Sequence, residues 1–123
     1  TKLPKFQASF NRIYGKYKAR AARDSRVFDL TREEFRELCE QDCRFCGAFP
    51  TASQSKTHAQ LNGVWKHSGL DRIDSSGGYT LGNVQPCCWL CNQLKSNIDE
   101  EVFLNHIKKI VFLSHWLRPF MDE

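Results

Sequence analysis

The chain has 123 residues, of which 41% are hydrophobic and 26% are charged, a composition typical of one compact globular domain. This length predicts that there is no second large domain. No apolar run approaches the ~18 residues that a membrane span requires, and the first ten residues lack the apolar segment of a signal peptide. We therefore expect a cytoplasmic protein with no membrane partner.

The net charge of +4 is concentrated near the N-terminus. Residues 1–28 contain eight Lys or Arg residues and one acidic residue, so the rest of the chain is slightly acidic. Apolar residues at helical spacing predict an amphipathic helix over residues 6–23. A basic stripe on another face of this helix consists of Arg12, Lys16, Arg20 and Arg23. The stripe predicts a contact with a polyanion, because basic groups on phosphates release condensed counterions; the alternative is an ordinary solvated face.

Helices are predicted on both sides of a cysteine-rich centre. Thr31 and Glu34 form a capping box, which predicts a helix that buries Phe35. Residues 48–66 are rich in small polar residues and are predicted to be irregular. The single domain would then have three parts: a basic N-terminal helix within residues 1–30, a core over residues 43–97 and a C-terminal helix over residues 98–118.

The six cysteines form two groups, each of which contains a C-x-x-C pair. The pairs are Cys43 with Cys46 and Cys88 with Cys91. Two sulfurs at this spacing bind one ion through a tight turn, and two such pairs complete a tetrahedral zinc site. The alternatives are weaker, because a disulfide framework needs an oxidising compartment and a redox motif uses only one pair. The remaining two, Cys39 and Cys87, are predicted to be packing residues.

The stretch between the two pairs predicts a ββα unit. It would consist of a strand that ends near Ile73, a glycine-rich loop, a second strand from Asn83 and a helix that begins around Cys91. Asp71 on the first strand and Asn92, directly after a zinc ligand, would then point into one cleft. Carboxylate and amide oxygens are hard donors that suit Mg²⁺, so this cleft is a candidate metal site.

The residues from Asp71 to Lys95 follow the order D-x-I-D…GGY…GN-V-x-P-C-C-x-x-C-N-x-x-K. Together with the upstream C-x-x-C-G, this order resembles the HNH (ββα-metal) endonucleases, in the branch found in phage proteins and rare-cutting restriction enzymes. The resemblance covers most of residues 14–110. It implies an α+β fold with a zinc-stabilised, treble-clef-like ββα-metal core, and it implies a bacterial or phage-infected host.

The resemblance also implies roles for single residues. Asp71 and Asn92 would bind one catalytic Mg²⁺ or Mn²⁺ ion, and Asn83 would fix the loop through side-chain hydrogen bonds. The four cysteines of the two C-x-x-C pairs would hold one structural zinc ion per chain. Lys95, one helical turn after Asn92, would lie near a DNA phosphate, with a solvated lysine as the alternative.

One position departs from the common HNH pattern. Arg72 stands where that pattern has the histidine that activates the attacking water, and an arginine stays protonated because its pKa exceeds ~12. The restriction enzymes of this branch also carry an Asp-Arg pair, so Arg72 would instead hold the scissile phosphate or stabilise transition-state charge. His67, which shares strand parity with Asp71, is the first candidate for the base, and His58 is the second. The alternative for His67 is an ordinary strand-edge histidine.

The sequence thus predicts a metal-dependent endonuclease that hydrolyses DNA phosphodiester bonds through a single-metal HNH site. A chain with one such site would nick one strand unless it forms a homodimer. The alternative is a catalytically inactive zinc module that binds nucleic acid or a partner protein.

Overall fold

The computed structural model describes residues 6–51, 63–114 and 118–121, so His58 lies outside the described residues. Helices and short strands are interspersed along the described chain, which confirms the predicted α+β class. In chain order the elements are α1 (Gln7–Arg23), β1 (Phe28–Asp29), α2 (Arg32–Cys39), β2 (Gly69–Arg72), β3 (Tyr79–Thr80), a 3₁₀ turn (Leu81–Asn83), β4 (Val84–Cys87), α3 (Trp89–Lys95), α4 (Glu100–Leu113) and α5 (Arg118–Met121).

An aromatic cluster joins α1 to α2. The predicted helix over residues 6–23 is confirmed, and its Phe10 and Tyr14 are buried together with Phe35 of α2. The rings of Tyr14 and Phe35 meet edge to face at 5.1 Å. The predicted capping box is also confirmed, since the Thr31 hydroxyl accepts from the Glu34 amide at 3.1 Å and the Glu34 carboxylate accepts from the Thr31 amide at 2.8 Å.

Tyr17 connects α1 to the strand that carries the candidate metal ligand. The backbone amide of Leu70 donates to the Tyr17 hydroxyl at 3.1 Å, and a Cβ on neighbouring Gly69 would lie 3.1 Å from the same oxygen. Burial raises the pKa of Tyr17 to about 12, which keeps the hydroxyl neutral. The start of β2 is therefore held against the helical layer.

Two small sheets frame the glycine-rich loop. Strands β2 and β4 pair antiparallel, with Asp71 opposite Gln85, which is the predicted ββ arrangement. Strands β1 and β3 form a short parallel ribbon that was not predicted. Gly78 permits this ribbon, because a Cβ there would lie 2.5 Å from the carbonyl oxygen of Val27.

The helix that completes the ββα unit starts earlier than predicted. It begins at Trp89, because Cys88 caps it: the Cys91 amide donates to the Cys88 sulfur at 3.4 Å. The helix ends at Lys95 and packs against β2. The sequence placed the start of this helix around Cys91, so that boundary was wrong by two residues.

The C-terminal helix is shorter than the predicted 98–118. Its Phe103 is buried and meets the ring of Phe45 at 5.5 Å, whereas α4 ends at Leu113. Residues 115–117 lie outside the described part of the chain, and α5 follows them. Every described helix is either too short or too polar to cross a bilayer.

Candidate functional site

The four cysteines of the two C-x-x-C pairs converge on one point. The sulfurs of Cys43, Cys46, Cys88 and Cys91 all lie within 4.8 Å of one another, and those of Cys46 and Cys88 are 3.7 Å apart. Zn–S bonds of about 2.3 Å at tetrahedral angles place neighbouring sulfurs about 3.8 Å apart. The cluster therefore has the dimensions of a Cys₄ zinc site.

Local backbone hydrogen bonds shape both knuckles. In the first, the Gly47 amide donates to the Cys43 carbonyl at 2.9 Å, and Gly47 takes a φ of +76°, which favours glycine. The second lies at the N-terminus of α3. The Arg44 amide donates to the Pro86 carbonyl at 2.9 Å, which fixes one knuckle against the strand that leads into the other.

The electrostatics of the cluster favour a bound cation. Burial raises the pKa of the Cys43 thiol, but hydrogen bonds from the backbone near Cys88, Cys46 and Phe45 outweigh burial and lower it to about 6. Burial and the neighbouring sulfurs raise the pKa of the Cys91 thiol. One thiolate is thus stabilised by backbone dipoles, whereas further thiolates repel it unless a cation neutralises them.

The other two cysteines lie outside this cluster, in agreement with the prediction that they are packing residues. Cys39 and Cys87 are both fully buried. Burial raises the pKa of both thiols, that of Cys87 to about 12, so both stay protonated. A buried neutral thiol behaves as a small apolar side chain.

Asp71 occupies the centre of the ββα unit, between β4 and α3. Its Oδ1 accepts from the Lys95 ammonium at 3.1 Å, and its Oδ2 accepts from the Gln85 side-chain amide at 3.0 Å. The same Gln85 nitrogen donates to Glu100 at 2.8 Å. Each carboxylate oxygen has two lone pairs, so each keeps one for a further ligand.

Asn92 lies one residue after Cys91 and three residues before Lys95 on α3. The spacing of three residues places Asn92 and Lys95 on one helical face, and Lys95 contacts Asp71. The backbone amide of Asn92 donates to the Cys88 carbonyl at 3.0 Å within the helix. The side chain of Asn92 is half-buried. The second C-x-x-C knuckle thus determines the position of Asn92 along α3.

The environment of Lys95 differs from the one predicted from the sequence. It was expected beside a DNA phosphate, but it is fully buried, and its ammonium also lies 3.4 Å from the carbonyl oxygen of Arg72. The reason is the packing of α3 on β2, which turns this helical position inward. A buried ammonium requires a charged or polar partner, and Asp71 supplies it.

Arg72 and Asn83 organise the glycine-rich loop. The Arg72 guanidinium donates to the carbonyls of Ser75 and Gly77, the latter at 2.9 Å. The Asn83 side chain accepts from the Asp74 amide at 2.9 Å and donates to the carbonyls of Asp74 and Gly78 at 3.1 and 2.8 Å. Asn83 occupies the loop-fixing position that the resemblance implies, and its part in catalysis stays a prediction.

His67 lies beside Trp65 rather than beside Asp71. The two rings stack at 4.8 Å, Nδ1 lies 3.1 Å from the Trp65 carbonyl, and the His67 backbone bridges to Thr51. His67 contacts Trp65, whereas Asp71 contacts Gln85 and Lys95, so among the described residues these contacts share no residue. Burial lowers the pKa of His67, and Arg12 lowers it further.

The basic stripe of α1 is present, although its members differ in environment. Lys16 is exposed, Arg12 is half-buried, and Arg20 lies 5.4 Å from the Tyr17 ring. Arg23 pairs with Asp24 at 3.0 Å, which compensates part of its charge. Sequence analysis missed the addition of α2 to this surface: its two arginines at i, i+4 spacing, Arg32 and Arg36, lie 5.0 and 4.4 Å from the Phe10 ring.

Comparison with known proteins yields one similar sequence. No family model matches the chain. The uncharacterized protein R423 of Acanthamoeba polyphaga mimivirus is 32% identical to it over 91 residues, which are 74% of this chain and 15% of that protein. The chain thus spans only a small part of the length of this viral relative.

A solved structure decides the fold. The rare-cutting HNH restriction endonuclease PacI superimposes with a TM-score of 0.57 and 18% identity, over 83% of this chain and 75% of that chain. The chain has the HNH endonuclease fold. The resemblance read from the order of residues between Asp71 and Lys95 is therefore confirmed at the level of the fold.

Sequence analysis of this HNH fold missed the polar residues that support Asp71. Gln85 and Glu100 form a chain of hydrogen bonds behind the carboxylate. Strand register alone would have found Gln85, since it lies directly opposite Asp71, whereas Glu100 required the packing of α4. A cavity of about 450 Å³ opens beside Gln85 and Glu100, but neither Asp71 nor Asn92 lines it, so it is distinct from the candidate metal cleft.

Proposed function

We propose that this protein is a metal-dependent DNA endonuclease that hydrolyses phosphodiester bonds through a single-metal HNH site. The observation that carries the proposal is the position of Asp71 on β2 beside the face of α3 that bears Asn92. The solved neighbour with this fold is a restriction endonuclease, which supports DNA as the substrate. The similarity to a viral protein supports a phage or viral context in the host cell.

The candidate cleft fits a hard divalent cation such as Mg²⁺ or Mn²⁺. Asp71 supplies a carboxylate and Asn92 an amide oxygen, which are the donors that these ions prefer. When bound, the ion would stabilise negative charge on the transferring phosphoryl group and on the leaving 3′ oxygen. Lys95 and Gln85 hold both oxygens of Asp71 in place, so the ligand is oriented before DNA binds.

Arg72 and His67 would act on the substrate and the water. Arg72 uses one nitrogen for loop carbonyls, so its remaining N–H groups can grip a non-bridging phosphate oxygen. His67 is kept neutral by burial, and a neutral imidazole can accept a proton from the attacking water. His67 reaches that water only if the substrate lies between the basic face of α1 and β2.

The Cys₄ cluster would hold one structural zinc ion. Its sulfur separations match tetrahedral zinc, and it holds the first turn of α3 through Cys88 and Cys91, the latter one residue before Asn92. The ion would thus determine the position of the catalytic helix. The exposed basic side chains of α1, with Lys16 foremost, would bind the DNA backbone with little dependence on sequence.

One observation favours a second function, a catalytically inactive zinc module that binds nucleic acid. Both oxygens of Asp71 already accept hydrogen bonds, one of them from a fully buried ammonium. A carboxylate that accepts these hydrogen bonds can stabilise the ββα unit without binding any metal. The inactive module would keep the basic surface and the Cys₄ cluster.

A plasmid assay distinguishes the two functions. With Mg²⁺ or Mn²⁺, the endonuclease converts supercoiled DNA to nicked or linear product, and Asp71→Asn and Asn92→Ala abolish the conversion. Lys109→Ala, at an exposed position of α4, serves as the matched control and should cleave at the wild-type rate. DNA binding without cleavage under any divalent cation would contradict the proposal and support the inactive module.

A further inference from the structure

Trp89 differs from the tryptophan that packs in the core. Trp65 keeps 3% of its surface exposed, and its indole Nε1 donates to Glu40 at 2.8 Å. Trp89 keeps 74% of its surface exposed, and in the part of the chain that the structure describes its indole makes neither a hydrogen bond nor a ring contact. An indole combines a large apolar face with one N–H donor, so in this state it is open to a ligand from outside the chain.

The four-sulfur cluster holds the backbone on both sides of Trp89. Trp89 is the first residue of α3, directly after Cys88, and Cys91 lies in the same helical turn. The Cys91 amide donates to the Cys88 sulfur at 3.4 Å, which closes this turn. An aromatic side chain has few rotatable bonds, so on a fixed turn it loses little conformational entropy when it binds a ligand.

The neighbours of Trp89 on the helix surface are polar. Residues three and four apart are neighbours on a helix, with Cβ atoms about 5–6 Å apart, so Trp89 adjoins Asn92 and Gln93. Asn92 is the candidate metal ligand, and Gln93 is exposed. A tryptophan that anchors a protein–protein contact lies in an apolar interface core. A planar ring flanked by two amides instead matches a nucleobase, which has an apolar face and a hydrogen-bonding edge.

The position of Trp89 determines which part of a DNA strand could contact it. Less than one helical turn, about 5.4 Å, separates it from Asn92 along α3. A phosphate bound at the candidate metal cleft would therefore bring a flanking nucleotide to the indole. In a paired duplex the neighbouring bases cover both faces of each base, so only an unstacked base offers a face to the ring.

We infer that Trp89 is a stacking platform for an unpaired DNA base beside the cleft of Asp71 and Asn92, and that the preferred DNA substrate has unpaired nucleotides at this position. Every base has a π face, so this contact carries little sequence preference. Gln93 can supply an amide donor and acceptor to the edge of the stacked base. The inference deepens the proposed function and rests on it, because it needs DNA at this cleft.

Binding of fluorescent DNA tests the platform without cleavage. The zinc-loaded protein, with no other divalent cation added, is titrated into end-labelled single-stranded DNA and into the duplex of the same sequence, and anisotropy gives both dissociation constants. The wild-type protein should bind the single strand more tightly. Trp89→Ala should weaken single-strand binding about tenfold and leave duplex binding unchanged, because only an unpaired base makes the lost contact.

A base analogue reports the stacking itself. The fluorescence of one 2-aminopurine between thymidines in the single strand should be quenched by the wild-type protein and by Trp89→Phe, which keeps a ring. Trp89→Leu keeps apolar bulk without a π face and should not quench it. Leu94→Ala is the matched control, since Leu94 is 64% exposed on the same helix but lies two residues from Asn92 and does not adjoin it. It should bind like the wild type.

Circular dichroism and zinc content verify that every variant is folded. A wild-type protein that binds the duplex at least as tightly as the single strand, or a Trp89→Ala protein with wild-type single-strand affinity, would overturn the inference. Strand preference and quenching without plasmid cleavage would support the platform and contradict the proposed endonuclease. Plasmid cleavage that requires Asp71 but is accompanied by wild-type binding of Trp89→Ala would overturn the platform alone, so the two failures are separable.

Discussion

The ammonium of Lys95 lies 3.1 Å from Oδ1 of Asp71, with 0% and 4% of the two side chains exposed. Neither charge can be solvated by water in this position, so each depends on the other. The pair joins the end of α3 to the middle of β2, and Gln85 completes it from β4. The three elements of the ββα unit therefore meet at one carboxylate.

Loss of the ammonium should strongly destabilise the fold. We expect Lys95→Met to lower the free energy of unfolding by about 3–5 kcal/mol, because the Asp71 carboxylate would remain buried without its counter-ion. Urea unfolding at neutral pH measures the change. Adding Asp71→Asn removes the orphaned charge and should recover part of the loss. Equal stability of Lys95→Met and wild type would show that the ion pair is absent.

Loss of one zinc ligand should unfold the core. Cys43→Ser should reduce bound zinc from one ion per chain to none, with loss of near-ultraviolet circular dichroism, because metal-binding energy is folding energy in small zinc domains. Cys87→Ala is the matched control: it changes a buried cysteine next to Cys88 and should retain zinc. A Cys43→Ser protein that is folded and free of zinc would refute the structural role of the cluster.

The loop after β2 should depend on Asn83. Asn83→Ala removes three hydrogen bonds to the backbone of Asp74 and Gly78, and we expect it to lower the free energy of unfolding by about 1–3 kcal/mol. Asn83→Asp keeps an acceptor for the Asp74 amide but places a charged acceptor oxygen against the carbonyl oxygens of Asp74 and Gly78, so its loss should be at least as large. Hydrogen exchange of the Asp74 amide reports the loop directly, and unchanged protection in Asn83→Ala would count against this role.

Burial of His67 should make stability depend on pH. Burial lowers the pKa of His67 below its usual value of about 6.5, so the unfolded chain binds this proton more readily than the folded protein. The stabilising effect of the neutral ring is full above about pH 6.5 and is lost as the pH falls through the lowered pKa. His67→Phe keeps a ring on Trp65 and should remove this part of the dependence. Unfolding of both proteins over a pH series measures the difference, and parallel curves would contradict the assignment.

Local patterns were sufficient to predict several elements. Helical periodicity predicted α1, the capping box at Thr31 predicted the start of α2, and the two C-x-x-C pairs predicted the four-sulfur cluster. Each of these features is encoded within a few residues, where backbone geometry and ligand spacing leave few alternatives. The order of residues from Asp71 to Lys95 also pointed to the HNH fold that the solved neighbour shares.

Tertiary packing decided what local patterns could not. From the local sequence alone, a lysine on a short helix is predicted to be exposed. Only the packing of α3 on β2 turns Lys95 toward Asp71. Strand parity likewise placed His67 with Asp71, yet His67 bridges to Thr51 and stacks on Trp65. The sequence determined which residue types are available for metal and phosphate chemistry; contacts between distant segments determined which of them meet, because burial and pairing are properties of the assembled layers.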